Sequence, residues 1–132
     1  FSEIGLTANL VTYDWGTYLD KTEHREAQSF LLGWTGDNGD PDNFLYALLD
    51  KINARNNYAS EELHNVLIEA QTSVDHENRV ELYKKAQEII YADAPWVPVV
   101  HSTPPLAKKL MVKNYIPNPT GTEKFTRVWL DK

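Results

Sequence analysis

Ser29-Phe30-Leu31-Leu32-Gly33-Trp34-Thr35-Gly36-Asp37-Asn38-Gly39-Asp40-Pro41-Asp42-Asn43-Phe44-Leu45 passes from an apolar run, through a break, into a helical pattern. The run 29–34 is short and continuous, which reads as a well-buried strand. Gly36, Gly39 and Pro41 cannot sit together inside a regular element, and Asp37, Asp40 and Asp42 favour turns. Asp42 or Asn43 then caps a helix through Phe44, Leu45, Leu48 and Leu49. Strand, loop and helix in that order make the repeating unit of an α/β fold.

The same alternation extends to both sides. Upstream, Leu6, Ala8 and Leu10 alternate ahead of a β-branched tail and predict a strand over 6–13. Asp14 caps a short helix carrying Trp15, Tyr18 and Leu19 at i, i+3 and i+4. Phe1-Ser2-Glu3-Ile4-Gly5 reads as the last turn of a helix closed by a glycine, so the chain is expected to be a piece of something longer. Downstream, Ser60 opens a helix with Leu63, Val66, Leu67 and Ala70 on one face, after a polar connection over 51–59. Asp75 caps another, with Leu82, Ala86, Ile89 and Ile90 as its stripe, and Pro95 stops it. Trp96 to Ser102 reads as a short buried strand with an edge or bulge at Pro98. Five of the 7 prolines follow position 97, and beyond Thr103 the helical period is gone. Leu110 to Val112 and Phe125 to Leu130 are candidate strands.

Composition narrows the function. A chain of 132 residues holds one compact domain. Its hydrophobic content of 42% and charged content of 24% are those of a globular protein. A net charge of −6 argues against a phosphate-binding surface, and Lys108, Lys109 and Lys113 are too few for a nucleic-acid groove. Without cysteine there is no disulfide, thiolate metal site or cysteine nucleophile. No apolar run is long enough to span a bilayer as a helix.

The acidic loop is the densest chemical feature. A calcium loop of the EF-hand type requires glycine at its sixth position and glutamate at its twelfth. Counting from Asp37 puts Asp42 and Leu48 there, and counting from Asp40 puts Leu45 and Lys51 there. Both registers fail. A pair of aspartates could serve as general acid and base only if their surroundings drove their pKa values apart. The plainer reading makes Asp40, Asp42 and Asn43 turn and capping residues. Asp37 is distinct, because it follows the C-terminal end of a strand, where α/β sheets bind ligands. His24, His64 and His76 sit in polar contexts and read as solvated, whereas His101 follows a strand and reads as a core or interface residue. Their spacing suits no shared metal. Gly-x-Ser-x-Gly is absent, so no sequence motif speaks for an enzyme. Trp15 and Trp34 are either core residues or walls against which a cationic or amphipathic ligand packs.

Taken in order, Tyr13-Asp14-Trp15-Gly16 with Tyr18-Leu19, then Gly33 to Phe44, then Asp75, Arg79, Tyr83 and Gln87 at four-residue spacing, then Ala94-Pro95-Trp96-Val97-Pro98 and His101-Ser102, resemble one family throughout the chain. It is the dipeptide/oligopeptide branch of the extracytoplasmic solute-binding proteins of ABC transporters. The resemblance implies an α/β fold, part of a periplasmic-binding-protein type II-like lobe with a mixed sheet flanked by helices. Residues 1–102 would belong to the ligand-binding lobe, and 103–132 would be a tail that in the family returns to the other lobe.

The resemblance further implies a binding protein and not an enzyme, with no cofactor. Asp37 would bind the α-ammonium of a peptide, Gly33, Trp34 and Thr35 would pair with its backbone, and Trp15 and Trp34 would line the pocket. An extended peptide offers a backbone ladder and charged ends, which suits a strand edge with a counter-charge. Removing one partner of a buried charge pair costs about 3–5 kcal/mol, so such an anchor is selective. The arginine that holds the ligand's carboxylate would lie upstream of Phe1. The implied partners are a peptide and, through the intact protein, ABC permease subunits; apolar surface exposed by truncation would drive the piece to self-associate, and the net charge argues against nucleic acid. The implied location is extracytoplasmic, in the periplasm or as a surface lipoprotein. The alternatives are a non-peptide cargo (metal chelate, haem or oligosaccharide) and a truncated chain with no binding of its own.

Overall fold

The computed structural model describes residues 1–53 and 55–131. Ala54, in the polar connection 51–59, and Lys132, at the end of the tail, lie outside the described residues. The chain divides into two compact units, one of Phe1–Leu32 with Arg55–Asn57 and one of the remaining residues.

In the first unit, Ser2–Ile4 form a single 3-10 turn that Gly5 closes in the left-handed region at φ 76. The helical end expected from Phe1 to Gly5 is therefore present as one turn. Helix α1, Trp15–Glu23, begins where Asp14 accepts the Thr17 backbone N–H at 3.1 Å. At its other end the Arg55 guanidinium donates to the Leu19 carbonyl and to Thr22 Oγ1, both at 3.1 Å. Thr22 is buried and donates its own hydroxyl to the same Leu19 carbonyl at 2.9 Å. Tyr18 donates its hydroxyl to the Leu31 carbonyl at 2.5 Å.

The second unit holds the core. Helices α2 (Asp42–Leu49), α3 (Glu61–Thr72) and α4 (His76–Asp93) follow one another, and α3 and α4 form an antiparallel hairpin across a short turn. Ser60 accepts the Leu63 N–H and Asp75 accepts those of Glu77 and Asn78, as the sequence predicts for both caps. The α3 stripe of Leu63, Val66, Leu67 and Ala70 is fully buried, joined by Leu49, Tyr83 and Ala86. Ala70 and Ala86 have no exposed surface, and side chains that small let two helices approach closely. On α4 the expected stripe of Leu82, Ala86, Ile89 and Ile90 faces this core, with Ala86 buried and Tyr83 added to it. Tyr83 is buried, while Leu82, Ile89 and Ile90 are half-buried at its flanks. Tyrosine is admitted because its hydroxyl finds the Arg79 guanidinium at 3.1 Å. Ala94, at φ 45, ends α4 ahead of Pro95.

The expected strands fare differently. Among the described residues the one ladder is antiparallel, β1 (Val112–Lys113) with β2 (Trp129–Leu130), pairing Val112 with Leu130 and Lys113 with Trp129. It overlaps the two candidate stretches of the tail, with Lys113 one residue past the first. Residues 6–13, 29–34 and 96–102 form no ladder. Leu10, Leu31, Val97 and Val100 are between 78% and 90% exposed, which corrects the expectation of buried strands. An apolar alternation becomes a strand only when a second backbone takes up its N–H and C=O groups, and none does so among the described residues. The mixed sheet is therefore not formed by these residues, which make a helix-rich segment with a small two-stranded sheet.

Candidate functional site

The loop 33–43 is built against the start of α2 and the side of α4. Asp42 is the first residue of α2 and Pro41 occupies the cap position, so neither Asp42 nor Asn43 caps the helix as expected. Their side chains brace the loop and its flanks. Asn43 Oδ1 accepts the Asp37 backbone N–H at 3.0 Å and the Trp34 indole Nε1–H at 3.4 Å. Asp42 Oδ1 accepts the Gln71 amide at 2.8 Å. Gly36 faces the Phe44 ring so closely that a Cβ would stand 2.5 Å from Cε2. Gly39 turns the chain at φ 75, a conformation open to glycine at no steric cost.

Asp40 is the loop's second anchor. Its Oδ1 accepts the Asp42 N–H at 2.9 Å, and Arg79 Nη2 donates to both carboxylate oxygens at 2.8 and 2.9 Å. Arg79 is held by the Ala70 carbonyl at its Nε and by the Tyr83 ring, 5.1 Å from the guanidinium. The Asp42 N–H first, and the Arg79 guanidinium after it, hold the Asp40 carboxyl below the usual aspartate range. It is ionised at neutral pH and so ill-suited to act as a general acid, and both its oxygens are engaged by Arg79, with Oδ1 also accepting the Asp42 N–H.

Three acidic side chains thus divide into two kinds. Asp40 and Asp42 are spent on the fold. The Asp37 carboxylate, exposed at the loop tip, makes no hydrogen bond or ion pair among the described residues. Trp34, 46% exposed, stands beside it through their shared acceptor. Gly33 and Thr35 are exposed as well, with open space where a Gly33 side chain would lie. Trp15 belongs to α1 in the other unit, where it is 65% exposed and stacks on Tyr18 with ring centroids 6.0 Å apart. Gly33, Trp34, Thr35 and Asp37 are therefore brought into one loop. No group of three metal-ligating side chains is found among the described residues.

Two histidines depart from expectation. His101 is exposed and takes no place in the core of the described residues. His64 is half-buried and joined at 2.7 Å to Asp50, which has no exposed surface and also accepts the Ile52 N–H. The bridging roles of Asn43 and Arg79 escaped the sequence reading. Arg79 and Tyr83 one turn apart, beside the apolar stripe of α4, were the available sign, because a half-buried arginine requires a carboxylate from elsewhere.

No family model matches the chain. It is 39% identical to Heme-binding protein A of Haemophilus influenzae over 137 residues and 37% identical to the Dipeptide-binding protein of Escherichia coli over 138. Each alignment covers 99% of this chain and 25% of the relative. The ABC transporter-associated periplasmic binding protein DppA from Helicobacter pylori, in complex with the peptide STSA, superposes with a TM-score of 0.80 at 35% identity. That superposition covers 99% of this chain and 27% of the other. The chain spans about a quarter of the length of the curated relatives it matches. It is homologous along nearly its whole length to dipeptide-binding proteins.

Proposed function

We propose that this chain, homologous from end to end to dipeptide-binding proteins, is one part of the peptide site of an ABC importer's substrate-binding protein. Asp37 is the anchor for the ligand's α-ammonium. The observation that carries the reading is the division of labour in the loop: Asp40 and Asp42 are consumed by Arg79, Gln71 and backbone N–H groups, whereas Asp37 has its charge to spare beside an exposed indole. Gly33, Trp34 and Thr35 supply backbone groups to an extended peptide, in a segment that pairs with no other strand here. In the complete protein residues 1–102 belong to the ligand-binding lobe, where 6–13, 29–34 and 96–102 enter a mixed sheet. Residues 103–132 return to the second lobe, and closure of that lobe desolvates Asp37. The partners are the peptide and the importer's permease subunits, and the location is extracytoplasmic. Asp37, Trp34 and Trp15 are binding groups, with no catalytic step assigned to them.

A haem cargo is the second reading, favoured by the 39% identity to Heme-binding protein A. The unpaired carboxylate speaks against it, because haem presents two anionic propionates that Asp37 would repel. The deciding experiment is calorimetry on the full-length protein that carries this sequence, with free-amine dipeptides, their N-acetylated forms, and haem. Free-amine dipeptides bind, acetylated ones bind weakly, and Asp37→Asn lowers free-amine affinity about a hundredfold while barely moving the acetylated series. Equal loss in both series, or haem bound and dipeptides not, defeats the peptide reading. The exposed Val97, Val99 and Val100 of these 132 residues support self-association, for which sedimentation of the isolated chain is the test.

A further inference from the structure

We propose that Asn43 is a positioning residue, which fixes the Asp37 main chain and the Trp34 indole to one oxygen so that charge anchor and aromatic wall stand as a single unit. The inference rests on the reading of Asp37 as the ammonium anchor. Its basis is the shared acceptor: Asn43 Oδ1 takes the Asp37 N–H at 3.0 Å and the Trp34 Nε1–H at 3.4 Å. An amide oxygen has two lone pairs and can serve both donors at once.

The oxygen is itself well placed to act as a reference point. Asn43 lies in the first turn of α2, which fixes its main chain. The far end of the loop is pinned independently by Arg79 on Asp40, and Phe44 closes against Gly36. Between these fixtures the Asp37 carboxylate has no partner among the described residues. A charge anchor discriminates only if it is held to within about 0.5 Å of its productive position. The residue that holds it must not neutralise it. A neutral amide bonded to the main chain of residue 37 satisfies both conditions, because it orders the backbone and leaves the side chain free. A cation at position 43 would order the loop and cancel the anchor.

The experiment compares Asn43→Leu, which keeps the size and removes the acceptor, with Asn43→Asp, which keeps an acceptor oxygen, in the full-length protein. Two readouts are taken: the affinity ratio of a free-amine dipeptide to its N-acetylated form, and hydrogen exchange of the Asp37 amide and Trp34 indole protons without ligand. The expected result for Asn43→Leu is a fall of about tenfold or more in the ratio, with both protons exchanging faster. Asn43→Asp restores slow exchange and a ratio at or above the wild-type value. In an Asp37→Asn background, Asn43→Leu adds little, since residues that act together are not additive. Asn43→Ala replaces the leucine variant if that one fails to fold.

An unchanged ratio overturns the proposal. So does an equal loss for both peptides, which would mark Asn43 as merely structural, and so does wild-type exchange of both protons. If the wild-type protein itself does not prefer the free amine, the anchor reading fails first. The two exchange rates then still decide whether Asn43 couples residues 34 and 37.

Discussion

Leu67→Ala removes a side chain with no exposed surface from the middle of the α3–α4 contact. Leucine and alanine have nearly equal helix propensities, so the substitution leaves α3 intrinsically as helical as before. Its cost therefore comes from lost burial and from the cavity left behind. Buried Leu→Ala changes cost about 2–5 kcal/mol, and the value depends on how far the surroundings collapse into the space. Two features place this site toward the middle of that range. Ala70 and Ala86, both without exposed surface, belong to the same cluster and carry no rotamers that could swing in to fill a void. Leu82, Ile89 and Ile90, by contrast, are half-buried and can shift inward. About 3 kcal/mol is the result, a large fraction of the 5–15 kcal/mol that stabilises a domain. Ile68→Ala, one residue away on the same helix but 36% exposed, is the internal control and should cost about 1 kcal/mol. Urea unfolding followed by circular dichroism measures both, with the same m-value required for the comparison. If Leu67→Ala costs no more than Ile68→Ala, the packing of α3 on α4 described here is wrong.

The cap of α4 gives a smaller effect. Asp75→Ala strips the acceptor from the Glu77 and Asn78 N–H groups and should destabilise the chain by about 1 kcal/mol, whereas Asp75→Ser recovers most of it in the same unfolding assay. Asp40 governs part of the acid response. Its carboxyl is held low in the folded state by the Asp42 N–H and by Arg79, so it contributes stability above the ordinary aspartate value and loses that contribution as pH falls through the folded one. Asp40→Asn should accordingly be less stable than wild type at neutral pH, with the gap closing below about pH 4. A gap that widens on acidification would refute the sign.

The parts of this protein that could be read in advance are those whose causes lie within a few residues. Asp14, Ser60 and Asp75 cap helices through N–H groups two or three positions away, and Pro95 stops α4 by lacking an N–H of its own. The i, i+3, i+4, i+7 stripe of α3 is buried residue for residue. Such signals act on the isolated chain and need no distant partner. The turn residues of the acidic loop belong to the same class, which is why the break between Trp34 and Phe44 was visible in the sequence.

Tertiary structure alone decided the rest. Whether 6–13, 29–34 and 96–102 are strands depends on a backbone to pair with, and an alternating pattern states a capacity to pair without supplying the partner. Arg79 reaches Asp40 across 39 positions and His64 reaches Asp50 across 14, so neither pairing is written in any local spacing. The same holds for Asp37. Three aspartates within six residues are chemically alike on paper, and only the fold shows that Arg79 and Gln71 occupy two of them and leave the third to face solvent. Periodicity determines which face of a helix turns inward because it acts residue by residue. The charge that stays free is settled by which long-range partners arrive first, and those are a property of the folded chain.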